Sequence, residues 1–371
     1  MKMKFVVPCL LGMESLIAGE LRDMEAANVT AENGRVLFEG DDSILARANI
    51  CSRYAERVQI LVGSFEARTF EELFQGTKSL DWETYIGSTD AFPVKGYSIN
   101  SALFSTRDIQ AITKKAVVER LKSIYHNEWF EESGPVHQIQ FSINKDKVSM
   151  LIDTSGAGLH KRGYRLDANE APIKETLAAA LCNISKLRPY HKLYDPMCGS
   201  GTILIEGALT ALNRAPGINR NFSAERFDCI DRSVWNVERE RAKSLERECP
   251  DFKAYGSDIS PEAIETAKLN AKRAEVENLI DFSVADIKDF KPSTPTSTLI
   301  CNPPYGERLL EFDECQEIYR TMGKVFVREH GRSYTVICPD EEFETAFGRK
   351  ADKRRKLYNG MIKCQAYMYF K

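Results

Sequence analysis

The chain lacks an excess of positive charge. Its 371 residues carry 51 Lys and Arg against 54 Asp and Glu, a formal net charge of −3, so any contact with a polyanion must be local rather than spread over the surface. It also lacks a C-x-x-C pair. Ten cysteines and five histidines are dispersed along the chain, which argues against zinc and for free thiols in a reducing compartment. No run approaches the roughly 20 apolar residues that cross a bilayer. The opening Met1 to Leu11 contains an apolar stretch, but Pro8 interrupts it, Glu14 follows soon and no small-x-small cleavage pattern appears. It reads as a first β-strand rather than a secretory signal. These absences predict a cytoplasmic chain without a metal centre or a membrane segment, and the length suggests two or three domains.

What is present is concentrated near the far end. Ser297 to Cys301 is a short apolar run that reads as a buried strand, and Asn302-Pro303-Pro304-Tyr305 follows it, at the carboxyl end of a strand where open α/β sheets bind ligands. Both prolines have φ fixed near −65° and no N–H, and each residue before a proline is pushed towards an extended conformation. The turn is stiff and rich in acceptors. The Asn302 side-chain oxygen and the Pro303 carbonyl are suited to gripping the two hydrogens of a planar exocyclic amine. Tyr305 offers a flat face for stacking, worth roughly 1–3 kcal/mol per base. An aromatic amine is a weak nucleophile because its lone pair is delocalised, and two acceptors pulling on its hydrogens favour a pyramidal nitrogen. Alignment towards an activated methyl group needs no strong base, since orientation alone reaches about 7–11 kcal/mol in favourable cases. The bland alternative is that Asn-Pro-Pro merely ends a strand.

A second constellation begins at His191. A short strand ends at Asp195, the loop Pro196-Met197-Cys198-Gly199-Ser200-Gly201-Thr202 follows, and Ile203 to Leu212 has the apolar spacing of a helix packed on a sheet. Gly199 and Gly201 let the backbone approach a ligand. A dinucleotide dehydrogenase would want a third small residue where this chain has Leu204. It would also want a ribose-binding acid about 20 residues on, where Ile218 to Asn221 stand instead. The acid comes later, at Asp258 after Phe252 to Ser257, followed by Ser260-Pro261-Glu262, the start of a helix with Ser as N-cap and Pro in the first turn. Capping could be the whole role of Asp258. Ile280 to Ala285 reads as another strand ending in Asp286, so three strands end in acids and a fourth in Asn302.

The order of these segments resembles the class I S-adenosylmethionine-dependent methyltransferases that act on exocyclic amino groups, over roughly residues 171–371. The resemblance implies that Asp195, Pro196, Cys198, Gly199, Ser200, Gly201 and Thr202 lie against the methionine portion of S-adenosyl-L-methionine. It implies that Asp258 with Ile259 serves the ribose, that Asp286 with Ile287 serves the adenine, and that Asn302, Pro303, Pro304 and Tyr305 hold the target amine beside the cofactor. Tyr334 to Cys338 reads as a strand, Glu341 to Gly348 as a short helix, and Lys356 to Tyr358 with Lys363 to Phe370 as a hairpin about Asn359-Gly360. Such a hairpin beside a parallel sheet is similar to the Rossmann-like seven-stranded sheet of that family.

The first 160 residues have no glycine loop and no catalytic cluster; strands such as Lys4 to Val7 and Arg35 to Phe38 alternate with amphipathic helices such as Glu14 to Glu25 and Thr106 to Ile124, an α+β region. The strings Phe38 to Asp41, Phe65 to Arg68, Ser98 to Leu103, His160 to Arg165 and Glu170 to Thr176 resemble the THUMP-containing RNA methyltransferases, in particular the bacterial 23S rRNA guanine-N2 methyltransferases. That resemblance covers the whole chain. It implies a ferredoxin-like segment (1–60), a THUMP domain (61–160) and a class I methyltransferase domain (161–371), with the first two delivering 23S rRNA or a large-subunit assembly intermediate. Lys161, Arg162 and Arg165 are candidate RNA contacts, and Arg349, Lys350 and Lys353 to Lys356 a second, weaker set; solvated surface is the alternative for both. Adenine N6 in place of guanine N2, and an inactive RNA-binding protein, are the competing expectations. S-adenosyl-L-homocysteine would be the product.

Overall fold

The computed structural model describes residues 2–165, 173–305 and 312–370. Glu170, Ala171 and Pro172, part of one string singled out above, lie outside the described residues. The chain divides into two compact units, the first made of residues 1–9, 17–159 and 221–240, the second of residues 10–16, 160–220 and 241–371.

The first unit is built on one seven-stranded sheet. Its elements are β1 (Met3–Pro8), α1 (Glu14–Asp23), β2 (Ala27–Glu32), β3 (Arg35–Gly40), α2 (Asp42–Cys51), β4 (Gln59–Glu66), α3 (Phe70–Lys78), β5 (Val94–Ile99), α4 (Thr106–Tyr125), β6 (Ile139–Asn144) and β7 (Lys147–Asp153). The strand order is β2-β3-β1-β4-β7-β6-β5. The sequence expectation put a break between residues 60 and 61, which falls inside β4; that strand pairs with β1 through Ile60 and Gln59 and with β7 along its length. Helix α3 begins at a capping box, Thr69 with Glu72, which satisfies two otherwise orphaned amide groups.

Residues 221–240 join this unit although they follow residues 160–220 of the other. Glu238 grips the Arg47 guanidinium through two bonds, 2.8 and 2.9 Å, with Arg47 almost wholly buried. The Phe227 ring stacks on that of His137 at 3.8 Å, and the Ala224 amide donates to Thr154 O at 3.0 Å. Burial holds His137 below its ordinary range even though Asp90 lies 3.0 Å away.

The second unit contains α5 (Glu175–Ile184), β8 (Lys192–Asp195), α6 (Thr202–Ala211), the end of α7 (Ser233–Ser244), β9 (Lys253–Asp258), α8 (Pro261–Arg273), β10 (Ile280–Val284), β11 (Ser297–Cys301), α9 (Phe312–Val325), β12 (Arg332–Cys338), α10 (Phe343–Phe347), β13 (Lys353–Asn359) and β14 (Ile362–Tyr369). The sheet order is β10-β9-β8-β11-β12-β14-β13, with β10 to β12 parallel and the final hairpin antiparallel. Strand β11 is buried at every position, Ser297 and Thr298 included, as expected of a central parallel strand covered on both faces. The chain proceeds from β8 outward to β9 and β10, then returns to β11 on the other side. The crevice between β8 and β11 is therefore the point where the strand order reverses, and ligands bind at such a point. Among the described residues no helix is long and apolar enough to cross a membrane.

Candidate active site

The four strand ends singled out from the sequence stand side by side at this switch point. Asp195 ends β8, Asp258 ends β9, Asp286 lies two residues beyond β10, and Asn302 follows β11. Asp195 is 1% exposed. It accepts the Met197 amide at 3.2 Å and the Cys301 thiol, yet burial, with the Asp258 charge adding to it, pushes its pKa up to about 8. A buried carboxyl whose ionisation is opposed by a neighbouring acid makes a site in which a cation is favoured. S-adenosylmethionine carries a sulfonium and an ammonium group, so the donor set fits it.

The glycine loop is held from three directions. The Cys198 amide donates to Ser257 O at 2.9 Å, the Gly199 amide donates to Asp258 Oδ2 at 2.9 Å, and the Asn270 side chain donates to Ser200 O at 3.1 Å. Asp258 also accepts the Ser260 amide at 3.1 Å, while Ser260 itself caps α8. Asp258 is thus not the cap; it ties the loop to the β9 turn, and each of its oxygens keeps a further acceptor position. Gly199 and Gly201 both have positive φ, +51° and +79°. A Cβ on Gly199 would meet nothing within 4 Å, whereas one on Gly201 would come within 3.1 Å of Ala267. One glycine leaves room on the ligand side, and the other lets α6 pack on α8. Pro196 accepts a bond from Ser257 Oγ at 3.4 Å, and the Ser200 and Thr202 hydroxyls lie 3.2 Å apart. Burial and the neighbouring acids keep the Cys198 thiol well above its usual range and therefore neutral.

Around the acids lies apolar surface suited to a flat ring. Ile259 is 71% exposed directly after Asp258, and Ile287 is buried beside Asp286. Asp286 accepts the Lys288 amide at 3.0 Å and pairs with the Lys288 ammonium at 3.0 Å, and the amide bond foremost keeps its carboxyl below the ordinary range.

At the turn after β11 the structure adds a contact that the sequence reading did not include. The Tyr305 hydroxyl donates to Asn302 Oδ1. Two consecutive prolines leave the turn short of donors, and the phenol supplies one. The amide oxygen has two lone pairs, so one remains for an amine. Tyr305 does more than present a face: burial raises its hydroxyl pKa well above the ordinary value and keeps it a donor. The Pro304 carbonyl accepts the Tyr319 hydroxyl at 3.1 Å and the Cys315 thiol at 3.6 Å. Tyr319, Cys315 and Asn270 were absent from the sequence expectations. Their signal was the helical spacing of Cys315, Tyr319 and Met322 on α9, continued by Phe326 just past its end, all buried in one cluster, and a buried Asn within α8.

The three candidate RNA contacts separate. Lys161 is exposed. Arg162 is buried, 3.6 Å from Glu206 on α6, and Glu206 also accepts the Tyr164 hydroxyl at 3.0 Å. Arg165 bonds Glu175 at 3.2 Å, Ile173 O at 3.3 Å and Thr202 Oγ1 at 3.4 Å. A guanidinium taken out of water must be paired, and the fold commits these two to internal carboxylates. In the later run Arg354 pairs with Glu344, and Arg355 bonds Gly12 O at 2.7 Å and Ser15 Oγ at 3.1 Å.

The parallel sheet with its antiparallel hairpin, the glycine loop and the row of acids define a class I S-adenosylmethionine-dependent methyltransferase. Comparison with known proteins agrees. Residues 162–368 match the family model described as RMKL-like, methyltransferase domain; residues 4–59 match the RlmL ferredoxin-like domain and 67–153 the THUMP domain. The chain belongs to the RMKL-like methyltransferase family and is an S-adenosylmethionine-dependent RNA methyltransferase with ferredoxin-like and THUMP amino-terminal parts. It is similar to the putative RNA methyltransferase YpsC of Bacillus subtilis, 42% identical over 371 residues, covering 100% of this chain and 96% of that one. It is also similar to the ribosomal RNA large subunit methyltransferase K/L of Psychromonas ingrahamii, 34% identical over 376 residues, covering 98% of this chain and 49% of that one. The chain therefore spans about half the length of the K/L relatives it matches. Among solved structures, SMU.472, a putative methyltransferase complexed with SAH, superposes with a TM-score of 0.94 at 40% identity, covering 100% of this chain and 98% of that one.

Proposed function

We propose that this protein methylates the exocyclic N2 amine of a guanine in 23S rRNA, in the cytoplasm, either on the free RNA or on a large-subunit assembly intermediate. The observation that carries this reading is the Asn302-Pro303-Pro304-Tyr305 turn, which follows β11 at the switch point beside the glycine loop of β8. The large-subunit name of the K/L relatives supports the choice of RNA. S-adenosylmethionine, when bound, supplies an electrophilic methyl group. Asn302 Oδ1 and the Pro303 carbonyl would accept the amine hydrogens and so turn the nitrogen lone pair towards the methyl; the N–C bond would form as the methyl–sulfur bond breaks, S-adenosyl-L-homocysteine would leave, and the acidic surplus proton of the methylated amine would pass to water, with no strong base needed. Tyr305 braces Asn302 through its hydroxyl, and a base flipped out of its stack would bring its amine to this turn. Asp258 holds the glycine loop and the ribose, and Ile259, Asp286 and Ile287 bound the adenine.

The turn recognises an amine and would accept adenine N6 as readily as guanine N2. Mass analysis of ribosomal RNA nucleosides from a strain lacking this protein separates them. Loss of N2-methylguanosine at one site is expected; loss of N6-methyladenosine with N2-methylguanosine intact would replace guanine by adenine.

A further inference from the structure

We infer that Tyr319 is a positioning residue of the methyl-transfer site, one that aims the amine-gripping turn through the Pro304 carbonyl without touching the substrate. The inference rests on the reading of Asn302 to Tyr305 as that grip. Proline fixes φ, so the direction in which the chain leaves Pro304 depends on a single soft torsion, ψ. That torsion sets where the Pro304 carbonyl points and where Tyr305 begins. The Tyr319 hydroxyl, reaching from α9, donates to that carbonyl at 3.1 Å. Holding the carbonyl fixes Tyr305, and Tyr305 in turn holds Asn302 Oδ1. One hydroxyl on α9 is thereby linked through two hydrogen bonds to the atom that receives the amine.

Tyr319 is itself firmly seated. It is 1% exposed, its ring meets Phe343 edge-on at 5.2 Å, and its oxygen accepts the Cys338 thiol at 3.4 Å. That thiol fills an acceptor position on the oxygen, which leaves the O–H directed at Pro304. Burial keeps the phenol far above its ordinary pKa, so it is neutral and a donor throughout the working pH range. The Cys315 thiol, a weaker donor at 3.6 Å from the same carbonyl, cannot replace a phenolic O–H. Tyr319 thus acts at a distance on geometry, and misplacement of a reacting group by even about 1 Å can cost on the order of 10²-fold in rate.

The test is Tyr319→Phe in the full chain, which keeps the ring against Phe343 and removes only the hydroxyl. Methyl transfer is followed from labelled S-adenosylmethionine to large-subunit ribosomal RNA isolated from a strain lacking the protein, and cofactor affinity is measured by calorimetry. Asn302→Ala is run beside it. The expected result is a kcat lowered by about tenfold or more, with KM for RNA and the cofactor Kd changed by less than about threefold, because the interaction is realised in the reacting geometry and not in binding. A kcat within about threefold of wild type, while Asn302→Ala is inactive, would overturn the role of Tyr319 and leave the grip standing. Near-normal turnover of Asn302→Ala would remove both. Cofactor affinity falling in parallel with kcat would also overturn the inference, since it would mark a loosened core instead of a misdirected turn.

Discussion

Asp195 shows how much chemistry one buried side chain can hold. Its carboxyl is pushed up to about 8, first by burial and then by the charge of Asp258. In the unfolded chain an aspartate titrates near pH 4, so between about pH 4 and 8 the folded protein binds a proton that the unfolded chain has released. Stability from this group is complete below about pH 4 and is lost as pH rises towards 8. Asp195→Asn, which cannot titrate, should therefore gain on the wild type over that window in the absence of added cofactor, by an amount on the order of a few kcal/mol at its upper end. Denaturant melts of both proteins at pH 5 and pH 8 check this; a difference that does not grow with pH would show that Asp195 ionises freely. The residue was legible in the sequence because it ended a strand before a glycine loop. Its perturbation was not, because that depends first on burial and then on the charge of Asp258, 63 positions away in the sequence, and both arise only when the sheet forms.

At the scale of elements, strands and caps were read well because their signals are local. The apolar run Ser297 to Cys301 is β11, Ser260 caps α8 with Pro261 in its first turn, and the hairpin turns about Asn359-Gly360. The expected helix Glu14 to Glu25 ends at Asp23, and Glu25 takes a left-handed φ of 69°. The string His160 to Arg165 was harder, since basic residues look alike whether they face solvent or a buried acid. The structure distinguishes them, and so does a pair of variants. Arg162→Ala should destabilise the fold by about 3–5 kcal/mol, because it leaves Glu206 buried without its cationic partner. Lys161→Glu should leave the melting temperature almost unchanged while weakening RNA binding and flattening its dependence on salt. Binding that is indifferent to Lys161→Glu would take this segment out of the RNA surface.

On the scale of the whole molecule, the seven-stranded methyltransferase sheet and the α+β amino-terminal region were both foreseen, and the family comparisons agree with them. What escaped the sequence was the long charged stretch after α6. Residues 221–240 fold with the amino-terminal sheet through Glu238 on Arg47, a partner 191 positions away, and Phe227 on His137. Charge pattern within a segment cannot reveal a partner at that separation. The net charge of −3 places the burden of RNA recognition on local surface, and the two amino-terminal parts matched to ferredoxin-like and THUMP models are where such surface is expected. The central claim remains chemical: an amine is held by Asn302 while the cofactor is held by the glycine loop and its acids. It is tested most directly by measuring methyl transfer to ribosomal RNA and S-adenosylmethionine binding on the same preparation of Asn302→Ala. The account predicts that transfer is abolished with cofactor affinity largely spared, and near-normal turnover would contradict it.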